Sequence, residues 1–217
     1  MSKNELIKRY LLFIIGLFFA AIGVTFTKHG ELGVSPISSV ANVLSCKYSF
    51  LSLGTWLVIW NCVLIACQIL ILRKNFQKIQ LLQIPLSFLF GIFTDIGMKI
   101  VSYIPVPNYA VRVALLLVGI FILGFGIALS VIANVILNSG EAFVKAIADT
   151  IKKDFGAIKT IFDVSCVIIA ILLSLFFFDY QIVGTREGTI ISALLTGMAV
   201  KLFTKHVQEP ITSFLCN

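Results

Sequence analysis

An aspartate stands inside an apolar run at FGIFTDIG, residues 90–97. An ionised carboxylate at the centre of a membrane helix costs about 2.5–3.5 kcal/mol on the insertion scale, so such a group faces a water-filled cavity or a cation. Asp95 is therefore the first candidate for an ion or solute pathway, with Lys99 one turn later as the competing structural partner. Asp163 follows Lys159 by four residues, the spacing of a local ion pair on one helix face. Asn61 and Asn134 lie in other apolar runs, where an amide serves equally as an interhelical hydrogen-bonding group or as a contact to a solute. Ser35–Pro36 reads as a helix start, serine as N-cap and proline at the first helical position. A second short helix starts near Ser139, Gly140 and Glu141. Helix N-termini present free N–H groups and the positive end of the dipole, so the expected ligand is anionic in whole or in part. The competing reading of both short helices is a membrane surface. Glu141, Lys145, Asp149 and Lys153 alternate in sign every four residues, which favours that reading for the second.

Other chemistries lack their residues. There is no H-E-x-x-H, G-x-S-x-G or P-loop and no nucleophile–base pair, so enzymatic activity is not expected. Cys46, Cys62, Cys67, Cys166 and Cys216 form no C-x-x-C, and His29 and His206 have no partner motif, so neither a metal nor a cofactor is expected.

The elements that would carry these residues are membrane helices. Of 217 residues, 59% are hydrophobic and 12% charged, with a mean hydropathy of +1.05. Soluble chains carry roughly a quarter charged residues. Six stretches approach the ~20 residues that cross hydrocarbon as a helix: 9–28, 53–72, 81–104, 110–137, 160–178 and 188–205. Only helices satisfy the backbone over such lengths in lipid, so the expected class is all-α and polytopic. The first run, without a small-x-small cleavage site, is expected to be a retained helix. Segments 33–50 and 138–157 are less apolar and have amphipathic helical patterns, as interfacial or re-entrant helices would.

The net charge of +7 belongs to orientation. With the N-terminus inside, the cytoplasmic side collects Lys3, Lys8, Arg9, Arg73, Lys74, Lys78, Lys145, Lys152, Lys153, Lys159, Lys201 and Lys205. The outer side collects Lys28, Lys47, Lys99, Arg112 and Arg186. The positive-inside rule then places both termini in the cytoplasm. No basic tract is interleaved with stacking aromatics, so nucleic acid is not an expected partner.

The halves resemble each other. LFIIGLFFAAIG (12–23) matches LLLVGIFILGFG (115–126), and IPLSFLFG (84–91) matches IISALLTG (190–197). Gly16 falls over Gly119, Gly91 over Gly197, and Pro36 near Glu141, with little drift in register. Residues 1–107 and 108–217 then form two halves of three spans and one short helix each. An odd number of spans inverts the second half, as in transporters whose sites lie near the midplane. If the short segments cross the bilayer, the repeat is parallel instead.

The stretches GVSPI (33–37), LGTWLVIWN (53–61), FGIFTD (90–95), GEAFVKAIA (140–148), KTIFD (159–163) and VGTREGTIISALLTG (183–197) resemble the bacterial membrane family typified by the YczE and YitT proteins, in order and over nearly the whole chain. YitT-type members add a soluble C-terminal domain, so the likeness is to the shorter YczE kind. The resemblance implies a multi-pass plasma-membrane protein and supplies neither a substrate nor site residues.

The expected function is secondary transport or export of an unidentified small solute across the plasma membrane, with proton coupling through Asp95. The alternatives are a non-transporting scaffold and a substrate-binding membrane subunit of a larger complex. The bilayer is the expected partner, and the glycine-rich spans allow a homo-oligomer.

Overall fold

A computed structural model describes residues 3–216. They form eight α-helices, α1 (Lys3–His29), α2 (Pro36–Lys47), α3 (Leu53–Leu72), α4 (Gln83–Val101), α5 (Tyr109–Ala133), α6 (Ser139–Ile151), α7 (Phe155–Phe177) and α8 (Glu187–Cys216), with two short 3-10 turns between α3 and α4. All but α2 and α6 are long and apolar enough to cross a membrane. The chain is thus an all-α, multi-pass membrane protein, and its outer faces carry exposed Leu, Ile and Phe, as lipid contact requires.

Local chemistry explains several boundaries. Ser52, Asn108 and Asp154 cap α3, α5 and α7, accepting the N–H groups of Thr55, Val111 and Ala157 at 3.1, 3.0 and 2.9 Å. The Asp154 cap starts α7 five residues before the apolar run expected from 160. Asn134, in the left-handed conformation at φ 49°, stops α5 short of the expected 137. The last helix continues beyond 205, through Pro210.

The centre is an antiparallel pair, α1 on α5. A Cβ on Gly16 would lie 2.7 Å from the Gly126 carbonyl oxygen, and one on Gly23 would lie 2.7 Å from that of Gly119. One residue number falls as the other rises, so the helices run in opposite directions. Glycine at these crossings lets the backbones touch, the packing that small residues permit in lipid.

Around this pair α4 lies on α1 and α8 on α5. α2 packs against α7 and α3, and α6 packs against α3 and α7. α3 also closes on α4, where Gly54 meets Gly91. No comparable seam joins α7 to α8 among the described residues, and nothing lies within 4 Å of a Cβ placed on Gly197.

The short helices are not surface helices. On α2 the apolar Val40, Ala41 and Val43 and the polar Ser38, Ser39 and Asn42 are all buried. Its polar side chains are buried against backbone carbonyls, Ser39 against those of Pro36 and Cys166 and Asn42 against that of Gly184. α6 keeps one wet side, with the exposed pair Lys145–Asp149 at 3.2 Å, while Ser139, Gly140, Ala142, Val144, Ala146 and Ala148 are buried.

Candidate functional site

The N-termini of the two short helices meet. A Cβ on Gly140, the second residue of α6, would lie 2.9 Å from Cδ1 of Ile37, the second residue of α2. Neither N-cap side chain, Ser35 or Asn138, accepts a backbone N–H of its own helix, unlike Ser52, Asn108 and Asp154. The Ser35 hydroxyl instead donates to the Ser38 hydroxyl at 3.0 Å. Pro36 is buried at the first helical position, as the start signal predicts. Two positive dipole ends therefore converge inside the protein.

Charged side chains gather at the α6 end. Lys159 and Asp163 of α7 form an ion pair, both part-buried. Asp163 lies eight residues into α7, about 12 Å along its axis. Glu141, in the first turn of α6, is close enough to both to feel their charges, and burial pushes its carboxyl above the usual range against the pull of Lys159. The alternating ladder thus fails at its first rung. Lys145 and Asp149 are solvated, whereas Glu141 turns towards α7. Lys159 was absent from the sequence candidates, although its spacing to Asp163 was visible.

Asn61 belongs to the interior of α3. It shares a helical face with the buried Leu57, Leu64 and Gln68, is half-buried, and makes no side-chain hydrogen bond to the described residues. Its neighbour Trp60 packs with Phe162 against Cys166 and Ala170 of α7, and the Trp60 indole N–H has no partner within the protein. Asn61 and Asp163 each stand eight residues after the first residue of their helix.

Asp95 stands on the seam between α3 and α4. Its carboxylate accepts the Ser52 hydroxyl at 2.6 Å and the Gly54 N–H at 2.9 Å. It caps α3 across the α3–α4 seam, and no ion pair joins it to Lys99 among the described residues. It also stands at the end of a groove of about 580 Å³ lined by Val58, Cys62, Ala66, Phe88 and Ile92. Asn134 is exposed at the end of α5, where it terminates that helix.

A polar knot that the sequence did not signal joins α3, α4 and α6. The Gln68 amide donates to Gln83 Oε1 and to the Ser139 carbonyl, both at 3.1 Å, and the Gln83 amide donates back to Gln68 Oε1 at 3.2 Å. Lone glutamines in apolar runs were its trace.

The fold and its buried polar residues are those of a multi-pass, all-α membrane protein. Residues 7–205 match the model of a family of unknown function, DUF6198, and the chain belongs to that family. Among its relatives are two proteins of Bacillus subtilis (strain 168). The uncharacterized protein YyaS is 24% identical over 94% of this chain and 96% of its own length. The uncharacterized membrane protein YczE is 25% identical over 92% of this chain and 86% of its own. The expected likeness to YczE-type proteins therefore holds. No solved structure matches the chain.

Proposed function

We propose that this chain is a plasma-membrane secondary transporter for a small solute, with both termini cytoplasmic, built as two inverted halves. The observation that carries the reading is the meeting of two buried helix N-termini beside the Glu141–Lys159–Asp163 cluster. Intramembrane ionisable groups that face the protein interior mark ion and solute paths, and converging half-helix ends favour anionic groups.

Inversion is supported by the packing. Gly16 and Gly23 match Gly119 and Gly126 in sequence, and they meet crosswise on antiparallel helices. Packing of α2 on α7 has its counterpart in α6 on α3, and α4 on α1 has its counterpart in α8 on α5. α2 and α6 begin at Pro36 and Ser139, and α3 and α7 at Leu53 and Phe155. Pro36 therefore corresponds to Ser139 better than to Glu141. Asn61 and Asp163 become counterparts by position in α3 and α7.

Proton coupling then belongs to Glu141 and Asp163, because Asp95 is committed to the α3 N-terminus. The test is thermal stability of the purified protein across a library of small solutes, beside Glu141→Gln and Asp163→Asn. A ligand at ~100 times its dissociation constant stabilises by about 2.7 kcal/mol. A stabilising solute whose effect shrinks in either variant supports the site. Solutes that bind equally well to both variants would move the path elsewhere, and absence of any stabilising solute would favour a scaffold or an incomplete complex.

A further inference from the structure

One seam of the repeat is closed and its counterpart is open. On α3 and α4 two glycines touch, and a Cβ on Gly91 would lie 2.8 Å from the Gly54 carbonyl oxygen. Asp95, one turn further along α4, accepts the Ser52 hydroxyl at 2.6 Å and the Gly54 N–H at 2.9 Å. A glycine crossing and a polar clasp thus shut this seam at the start of α3.

The second half carries the counterpart of each residue. Ser52 and Asp154 are the N-caps of α3 and α7, and Gly54 and Gly156 are the second residues of those helices. The match of 84–91 with 190–197 sets Gly197 over Gly91, and the same register sets Lys201 over Asp95. Hydroxyl and carboxylate in the first clasp become carboxylate and ammonium in the second, and the pair is again complementary. Yet this seam is not made. A Cβ on Gly197 meets nothing within 4 Å, and one on Gly156 meets only its own cap, Asp154 Oδ2 at 3.0 Å. Asp154 and Lys201 are both exposed, and no ion pair joins them among the described residues.

α8 is mounted so that it can move. It is held at its first turn, where the Gly188 N–H donates to the Leu32 carbonyl at 2.9 Å. Gly197 stands nine residues beyond Gly188, about 14 Å along the axis, so a tilt about the anchored turn carries it towards α7. The connection from α7 passes through Asp179, Tyr180 and Gly184, all with positive φ, and hinges are a few such loop residues. On its other side α8 rests on α5, where Gly124 and Ala199 meet. Small residues interlock little, so the helices can slide there.

We infer that the α7–α8 seam closes as the α3–α4 seam does, with Gly156 meeting Gly197 and Lys201 coming to Asp154, and that the present conformation is one of two. The inference rests on the inverted-repeat transporter reading, under which the closed seam lies on the outer side and the open one on the cytoplasmic side. Exchange of the two closures would pass a solute held beside Lys159 and Asp163 of α7 from one side to the other.

The experiment is disulfide trapping in native membranes, in the full chain without its own cysteines. Asp154→Cys with Lys201→Cys forms a disulfide only when the two Cα atoms come within roughly 7 Å, and mild oxidation accumulates that state even when it is rare. The expected result is a link within one chain. Ser52→Cys with Asp95→Cys, across the closed seam, links as well. Asp154→Cys with Leu194→Cys, two turns out of register, does not. Gly197→Leu puts a large side chain into the crossing. It abolishes the 154–201 link and leaves the 52–95 link, which also shows that the variant folds. Absence of the 154–201 link where the 52–95 pair reacts would overturn the inference, and so would a link that survives Gly197→Leu or joins two chains. None of these measurements needs a solute. A 154–201 link in a chain that no solute stabilises would uphold the moving seam and count against transport. Solute binding without the link would keep the transporter reading and sink the seam.

Discussion

Gly23 of α1 and Gly119 of α5 face each other reciprocally: a Cβ on either would sit 2.7 or 2.8 Å from the carbonyl oxygen of the other. Gly16 and Gly126 repeat the relationship at 2.7 and 2.5 Å. Such a reciprocal contact puts backbone directly against backbone, the close approach that small residues permit at a helix crossing.

Substitution at this crossing therefore has nowhere to go. Gly23→Ala meets the Leu123 amide at 2.4 Å, and overpacking of this kind costs about 1–3 kcal/mol. The expected outcome is a lower thermal midpoint in detergent. Gly197→Ala, with nothing within 4 Å, is expected to leave the midpoint unchanged. An equal response of the two variants would contradict the close packing.

Lys159 holds the charge balance beside Asp163 and Glu141. Lys159→Met leaves two part-buried carboxylates without their cation, and removing one partner of a buried pair costs about 3 kcal/mol. Adding Asp163→Asn to that variant is expected to restore part of the loss. Thermal unfolding of the two single variants and the double variant measures the coupling.

Glu141 also sets a pH dependence. Burial raises its folded-state value above the ordinary 4.5, so its contribution to stability is full below pH 4.5 and is lost as pH rises through the raised value. Glu141→Gln fixes the neutral form. Variant and wild type should be equally stable in acid, with the variant more stable at neutral pH. A constant difference across the range would show that the carboxyl does not titrate there.

Asp95 is expected to behave as a helix cap. Asp95→Ala removes the acceptor of the Ser52 hydroxyl and the Gly54 N–H, and lost caps cost about 1 kcal/mol. Stability should fall by that order, and a solute response should persist. Loss of solute binding with unchanged stability would instead return Asp95 to the pathway.

Opposite placement of the short helices is open to labelling. Ser49, after α2, and Lys153, after α6, are both exposed. Single cysteines there, in a background without the native cysteines, are expected to react from opposite sides of the membrane. Labelling from one side would favour a parallel repeat.

The sequence by itself determined that the chain crosses a membrane as six helices with two shorter ones between. Apolar length is a local property, and lipid leaves the backbone no alternative to the helix over such lengths. Repeated glycines and the GVSPI start were legible for the same reason. The tertiary structure decided what each polar residue meets. The FGIFTDIG pattern placed a carboxylate in a span, but only packing of α4 on α3 turned Asp95 into the cap of Gly54. Likewise Glu141 belonged to a solvated ladder by spacing and to the Lys159–Asp163 cluster by the placement of α6 against α7. Asn42 meets the Gly184 carbonyl, distant in sequence, only through the packing of α2 beside the connection that precedes α8. A side chain's partner lies across helices, and spacing along one chain cannot specify it.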